Sequence, residues 1–153
     1  MAQAARAAGS LVSADIDSIY DGLPELLPSI DILIASREFP HRLTGITDKR
    51  ASLVELKARF GCTIVGMTLG HEGAMIYCQG EFISAPAYEV PGGCRDTTGA
   101  GDAFRAGFLY GLLTGEEVEN SLKLANAVAA LKCRALGGRT ALPTKADLDG
   151  FAV

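Results

Sequence analysis

Two runs in this chain, Asp31-Ile32-Leu33-Ile34-Ala35 and Cys62-Thr63-Ile64-Val65-Gly66-Met67-Thr68, are apolar at consecutive positions rather than at alternate ones. A strand with one wet face alternates. A strand apolar on both faces must be covered twice, as in a parallel sheet packed by helices. Parallel neighbours need a long crossover, and the sequence between the runs supplies one. Residues 36–45 read as a short helix ending at Gly45. Asp48 then caps a helix near 49–60, with Ala51, Leu53, Val54, Leu56 and Phe60 on its apolar face and Gly61 closing it. Upstream, residues 2–8 form a helical stretch stopped by Gly9, Leu11-Val12-Ser13-Ala14 is a short strand, and 22–28 is a Pro-interrupted helix or turn. Gln79-Gly80, flanked by apolar 74–78 and 81–84, signals a hairpin. Strands alternating with helices predict an α/β fold with a mostly parallel sheet. Ligands of such sheets bind at the carboxyl ends of the strands, where Asp15, Ser36 and Thr68 fall.

The second half of the chain is organised around Asp96-Thr97-Thr98-Gly99-Ala100-Gly101-Asp102, which leads into an apolar helix to about Leu113. Gly99 and Gly101 carry no side chain, so their N–H groups are open to a ligand. They stand at the positive end of the helix, where the first N–H groups lack helical partners. That combination favours a phosphate or a developing negative charge. Asp102, on the first turn, faces the same place and can accept a proton there. The same string is also a serviceable helix entry, with Asp or Thr capping and Gly bending the chain. It is not a P-loop, because no Lys-Ser/Thr follows the glycines, and Phe104 stands where a dinucleotide fingerprint needs its third glycine. A second long helix is expected from about Glu117 to Leu136, ended by Gly137-Gly138, and Pro143-Thr144 opens a last short one.

Several function classes are disfavoured. A net charge of −4 argues against a dedicated nucleic-acid surface. No apolar run is long enough for a membrane span, so no membrane partner is expected. Cys62, Cys78, Cys94 and Cys133 are far apart in sequence and there are only two histidines, so no zinc site is expected and the thiols read as reduced, in a cytoplasmic setting.

The motif string resembles the signature of the ribokinase-like, or pfkB-type, carbohydrate kinases, which carry Asp-Thr-Xaa-Gly-Ala-Gly-Asp at the start of such a helix. The resemblance implies a three-layer ribokinase-like fold and ATP-dependent phosphoryl transfer to a hydroxyl of a sugar or related small polyol. In that role Asp102 is the general base and Gly99, Ala100 and Gly101 form the anion hole. Thr68-Leu69-Gly70-His71-Glu72-Gly73 matches a family turn that helps line the nucleotide site, which implies nucleotide contacts at Thr68, Gly70 and Gly73. By itself the same stretch is a turn in which glycines supply unusual dihedrals. Leu124-Ala125-Asn126-Ala127-Val128-Ala129-Ala130 resembles a family segment near the adenine pocket, implying Asn126 and, more weakly, Ala129. Close helix packing accounts for most of its small residues. Asp96, Thr98 and backbone groups near Gly138 are where relatives that use a monovalent cation hold it, and Mg2+ is expected from ATP chemistry itself.

Two departures from the family pattern stand out. The family has Asn-x-x-Glu after the second strand, linked to magnesium and phosphate positioning. Aligning on Leu43-Thr44-Gly45 puts Ser36 and Phe39 at those places, with Glu38 one residue off, so no metal residue is assigned. Such kinases are also about twice this length. The chain is therefore expected to be one α/β domain over 1–153, the carboxyl-terminal half of such a kinase, with the amino-terminal half, the lid and most sugar contacts absent. A sheet cut in mid-fold exposes an edge, which implies a piece of a longer chain or a homo-oligomer. The alternative to an active enzyme is a truncated, catalytically inactive nucleotide-binding remnant or regulatory module.

Overall fold

The computed structural model describes residues Met1–Phe151. Its five strands form one sheet in the order β1-β2-β3-β4-β5: β1 (Ser13–Ala14), β2 (Ile32–Ser36), β3 (Ile64–Thr68), β4 (Ala74–Cys78) and β5 (Glu81–Ala85). The first three strands run parallel, and the register pairs Ser36 with Thr68. The chain resolves into two compact units, Met1–Leu69 with Met75–Ile83, and Gly70–Ala74 with the residues from Ser84 on.

In the first unit, α1 (Ala2–Ala7) precedes β1, and α2 (Leu23–Leu26) with a 3-10 turn (Leu27–Ser29) bridges β1 to β2. The crossover from β2 to β3 carries α3 (Phe39–Thr44) and α4 (Lys49–Phe60). Asp48 caps α4 by accepting the Ala51 N–H at 2.7 Å, and Gly45 and Gly61 end their helices in the left-handed region. All three caps follow the sequence expectation. The core gathers Leu23, Leu27, Ile30, Leu33, Phe39, Leu53, Leu56, Val65 and Met67, all buried. Gln79 and Gly80 both have positive φ, 51° and 86°, as a type I′ hairpin turn between β4 and β5 requires. That two-residue turn reverses the chain, so the sheet is mostly rather than wholly parallel.

The second unit is built on α5 (Ala100–Leu113) and α6 (Val118–Lys132), followed by α7 (Lys145–Asp149). The two long helices touch through their backbones. A Cβ on Gly107 would lie 2.9 Å from Val128 Cγ2 and 3.1 Å from Ala125 Cα, and one on Gly111 would lie 2.9 Å from Ser121 Cα. Thr144 and Asp147 form a reciprocal capping box at the start of α7.

Several boundaries differ from the expectation: β1 covers only Ser13–Ala14, Ser36 ends β2 so that α3 begins at Phe39, and the end of α6 moves most. α6 stops at Lys132 instead of reaching Leu136. An extended helix would have Gly137 N–H donate to Cys133 C=O. Instead that carbonyl accepts Arg95 N–H at 2.8 Å and Asp96 N–H at 3.4 Å, while Gly137 N–H donates to Asp96 Oδ2 at 2.7 Å. The Asp96 segment thus takes over the hydrogen bonds of the next helical turn.

Candidate functional site

Gly99 is the residue before the first turn of α5, with φ +74°. A Cβ there would sit 2.8 Å from Gly138 O and 3.0 Å from Gly138 Cα, so two backbones meet at this point with no room for a side chain. Gly99 therefore satisfies both reasons for which a chain requires glycine, a left-handed φ and close approach.

Asp96 holds this junction together. Its Oδ1 accepts Thr98 N–H at 2.9 Å and its Oδ2 accepts Gly137 N–H at 2.7 Å. Its own carbonyl accepts Lys132 Nζ at 2.9 Å, and Lys132 is fully buried. The Thr98 amide, then the Gly137 amide, hold the Asp96 carboxyl down from an ordinary 3.8 to about 2, and Lys132 adds to this. One carboxylate thus ties the start of α5 to the stretch that follows α6.

At the mouth of α5, Ala100 N–H donates to Thr97 C=O at 3.0 Å and closes the turn. Of the three residues expected to form an anion hole, Gly99 and Gly101 are those whose N–H groups the turn does not use in this way. Asp102 is exposed on the first turn, where the helix dipole favours a negative charge. The Arg105 guanidinium lies beside Gly101, since a Cβ on Gly101 would meet Arg105 Nη1 at 2.6 Å. Sequence reasoning missed Arg105. Its spacing of four residues from Gly101 on a helix was the available signal.

A second cluster forms in the same unit. Gly73, with φ +97°, presses on the start of the 85–95 loop: a Cβ would lie 2.1 Å from Ala85 O and 2.7 Å from Ala87 N. Asn126 is 5% exposed, and its Nδ2 donates to both Ala85 O and Pro86 O at 3.0 Å. Both amide hydrogens of Asn126 thus go to the chain itself, and Oδ1 remains as an acceptor. Gly70 opens the 3-10 turn Gly70–Glu72 that leads to Gly73. The structure therefore joins the Gly70–Gly73 turn, the Ala85–Ala87 segment and Asn126. Asn126, half-buried Ala129 and Cys133 are spaced i, i+3, i+7 on one stripe of α6 and its cap. At 1.5 Å per residue that stripe runs about 10 Å, from the Ala85 cluster to the Asp96 junction.

In the first unit, Thr68 ends β3 beside Ser36 at the end of β2. Asp17 Oδ1 accepts the Ser36 N–H at 3.0 Å, and Arg37 donates to Leu69 C=O. Phe39, at the place where the resemblance puts a carboxylate, is fully buried in the core, while Glu38 is exposed before α3. Among the described residues no cluster of three His, Cys, Asp or Glu side chains could hold a metal ion, and no helix is long and apolar enough to cross a membrane.

The chain as a whole is similar to known proteins. A model of the family described as pfkB family carbohydrate kinase matches residues 1–145. A fructokinase of Klebsiella pneumoniae is 36% identical over 141 residues, covering 88% of this chain and 45% of the relative. A ribokinase of Arabidopsis thaliana is 33% identical over 150 residues, covering 95% of this chain and 40% of the relative. The solved structure of Arabidopsis thaliana ribokinase complexed with ribose and ATP superposes with a TM-score of 0.86 at 29% identity, over 97% of this chain and 49% of that one. A fructokinase of Vibrio cholerae with fructose, ADP and potassium ion bound superposes at 0.83 and 29% identity, over 96% of this chain and 52% of that one. The chain spans about half the length of the relatives it matches. The fold is the three-layer α/β ribokinase-like fold expected from the motif. With a family match over residues 1–145, the chain belongs to the pfkB family of carbohydrate kinases.

Proposed function

We propose that this chain provides the nucleotide and phosphoryl-transfer part of an ATP-dependent carbohydrate kinase acting on a hydroxyl of a sugar or related small polyol, with the two compact units working as one catalytic domain over 1–153. The observation that carries this reading is the Gly99–Gly138 junction at the mouth of α5, with Asp102 exposed on the turn just inside it. Phosphoryl transfer asks a protein mainly for positioning and electrostatic stabilisation. The N–H groups of Gly99 and Gly101 meet negative charge on the transferring group, and Ala100 shapes the turn that presents them. Arg105 adds a positive charge beside Gly101. Asp102 accepts the proton of the attacking hydroxyl.

Asp96 and Thr98 keep this loop in shape. The nucleotide runs along the α6 stripe, its base towards Gly70, Gly73, Asn126 and Ala129 and its phosphates towards Gly99. Asn126 acts there through Oδ1 and by fixing Ala85 and Pro86. Thr68, on the first unit, rests on the resemblance alone as a nucleotide contact. Mg2+ enters with the ATP phosphates, as ATP chemistry itself requires. Asp96 retains lone pairs beyond the two amides it accepts, so its carboxylate is the group that would hold a monovalent cation. A cytoplasmic location and a homo-oligomeric state belong to the same reading.

The test is calorimetric titration of the chain with ATP, followed by ADP release over a panel of sugars. In the full-length protein, Asp102→Asn should abolish sugar-dependent ADP release and leave ATP affinity unchanged. Retained turnover in that variant removes Asp102 from its role. Phe39 favours a second reading, a nucleotide-binding module that transfers nothing, because a buried phenyl stands where the family's carboxylate is expected. ATP binding with no response to any sugar would select it.

A further inference from the structure

Two of the four cysteines, remote in sequence, are neighbours in space. Cys94 is exposed in the loop leading to Asp96, and Cys133, 6% exposed, ends α6. The Arg95 N–H donates to the Cys133 carbonyl at 2.8 Å, so the chain at 94–96 runs alongside the end of that helix. Both thiols are free. Burial pushes the Cys133 thiol up, and the adjoining Cys94 thiol, close enough to hydrogen-bond with it, pushes it further. We propose that Cys94 and Cys133 are a redox-modification site: a low-molecular-weight disulfide oxidises them to an intramolecular disulfide, which staples the glycine loop to the end of α6.

The chemistry follows from the unequal exposure. The Cys94 thiolate is the accessible nucleophile, and it attacks one sulfur of the incoming disulfide. That S–S bond breaks, a mixed disulfide forms on Cys94, and the first small thiolate leaves and takes up the proton that Cys94 lost. The raised Cys133 thiol stays protonated and out of reach of solvent until this point. Its thiolate then attacks the Cys94 sulfur, closes the protein disulfide and expels the second small thiolate, which takes up the Cys133 proton. Two protein thiols are oxidised and one small disulfide is reduced to two thiols. The staple joins the same two segments that the Arg95–Cys133 and Lys132–Asp96 hydrogen bonds already join. It therefore restricts the opening of the Asp96 junction. The proposal does not depend on nucleotide binding.

The test treats the native chain with oxidised glutathione. Thiols counted after denaturation should fall from four to two, and fragment mapping should join Cys94 to Cys133. Amide exchange at Thr98 and Gly137 should slow by about tenfold, and a dithiol reductant should reverse it. Cys133→Ser should stop at the mixed disulfide on Cys94, and Cys94→Ser should keep all its thiols. A wild-type product that halts at the mixed disulfide, a cross-link to Cys62 or Cys78, or unchanged exchange after cross-linking would overturn the proposal. No readout uses ATP, so failure here is distinct from failure of the kinase reading.

Discussion

Replacing Gly99 by alanine tests the junction at the mouth of α5 directly. The new methyl group would sit 2.8 Å from Gly138 O and 3.0 Å from Gly138 Cα, on a residue whose φ is +74°. The left-handed conformation costs a non-glycine residue about 1–2 kcal/mol. The contact is with backbone, so relief requires the chain at Gly138 to move, at about 1–3 kcal/mol for an overpacked site. The expected loss is then about 2–5 kcal/mol, within what a domain of ordinary stability survives. Gly115→Ala is the control, because Gly115 also has positive φ, +87°, but nothing lies within 4 Å of its added Cβ. It should cost only the conformational part, about 1–2 kcal/mol. Urea unfolding of the three proteins, with unchanged m-values, measures both losses. Titration with ATP should show weaker binding for Gly99→Ala and none of that effect for Gly115→Ala. Equal stability losses in the two variants would refute the close approach of Gly99 to Gly138.

Three further outcomes are expected. The Asp96 carboxyl is held at about 2, below its ordinary 3.8, so its contribution to stability is fully present above the ordinary value and is lost as the pH falls through about 2. The stability gap between wild type and Asp96→Asn should therefore shrink as the pH drops from about 5 towards 2, and a gap that holds constant in acid unfolding curves would contradict the two amide bonds. Asn126→Ala strands the buried Ala85 carbonyl and removes the part-buried bond to Pro86, and should cost about 1–3 kcal/mol in urea unfolding, more than Asn120→Ala on the exposed side of α6. Gly107→Ala forces α5 off α6 at Val128 and Ala125 and should lower the thermal midpoint, whereas Ala106→Gly, at an exposed neighbour, should cost only about 1 kcal/mol of helix propensity.

The local signals in the sequence were reliable where the chain decides its structure with near neighbours. The Asp48 cap, the Gly45 and Gly61 stops, the Gln79-Gly80 turn and the start of α5 are set within a few residues, and each stands where the pattern puts it. The end of α6 was misread for the opposite reason. Nothing between Lys132 and Gly138 announces that Arg95 and Asp96 will claim the Cys133 carbonyl. Asn126 was legible as a polar residue among small ones. Its two bonds to Ala85 and Pro86 were not, because their partners are 41 and 40 residues away.

The sequence by itself determined the order of the elements, the parallel arrangement of the first three strands and the family, since periodicity, caps and a seven-residue motif are all written in adjacent positions. Only the tertiary structure decided what surrounds that motif. Asp96 read as a motif acid near a helix entry and a cation environment, and it also clamps the start of α5 to Gly137. Lys132, which the sequence reading did not single out, is buried against the Asp96 carbonyl, and Cys94 and Cys133 became neighbours. The physical reason is common to all of them. Hydrogen bonds and contacts between remote segments are chosen by the packing of α5 and α6, and spacing along the chain carries no record of which remote groups that packing brings together.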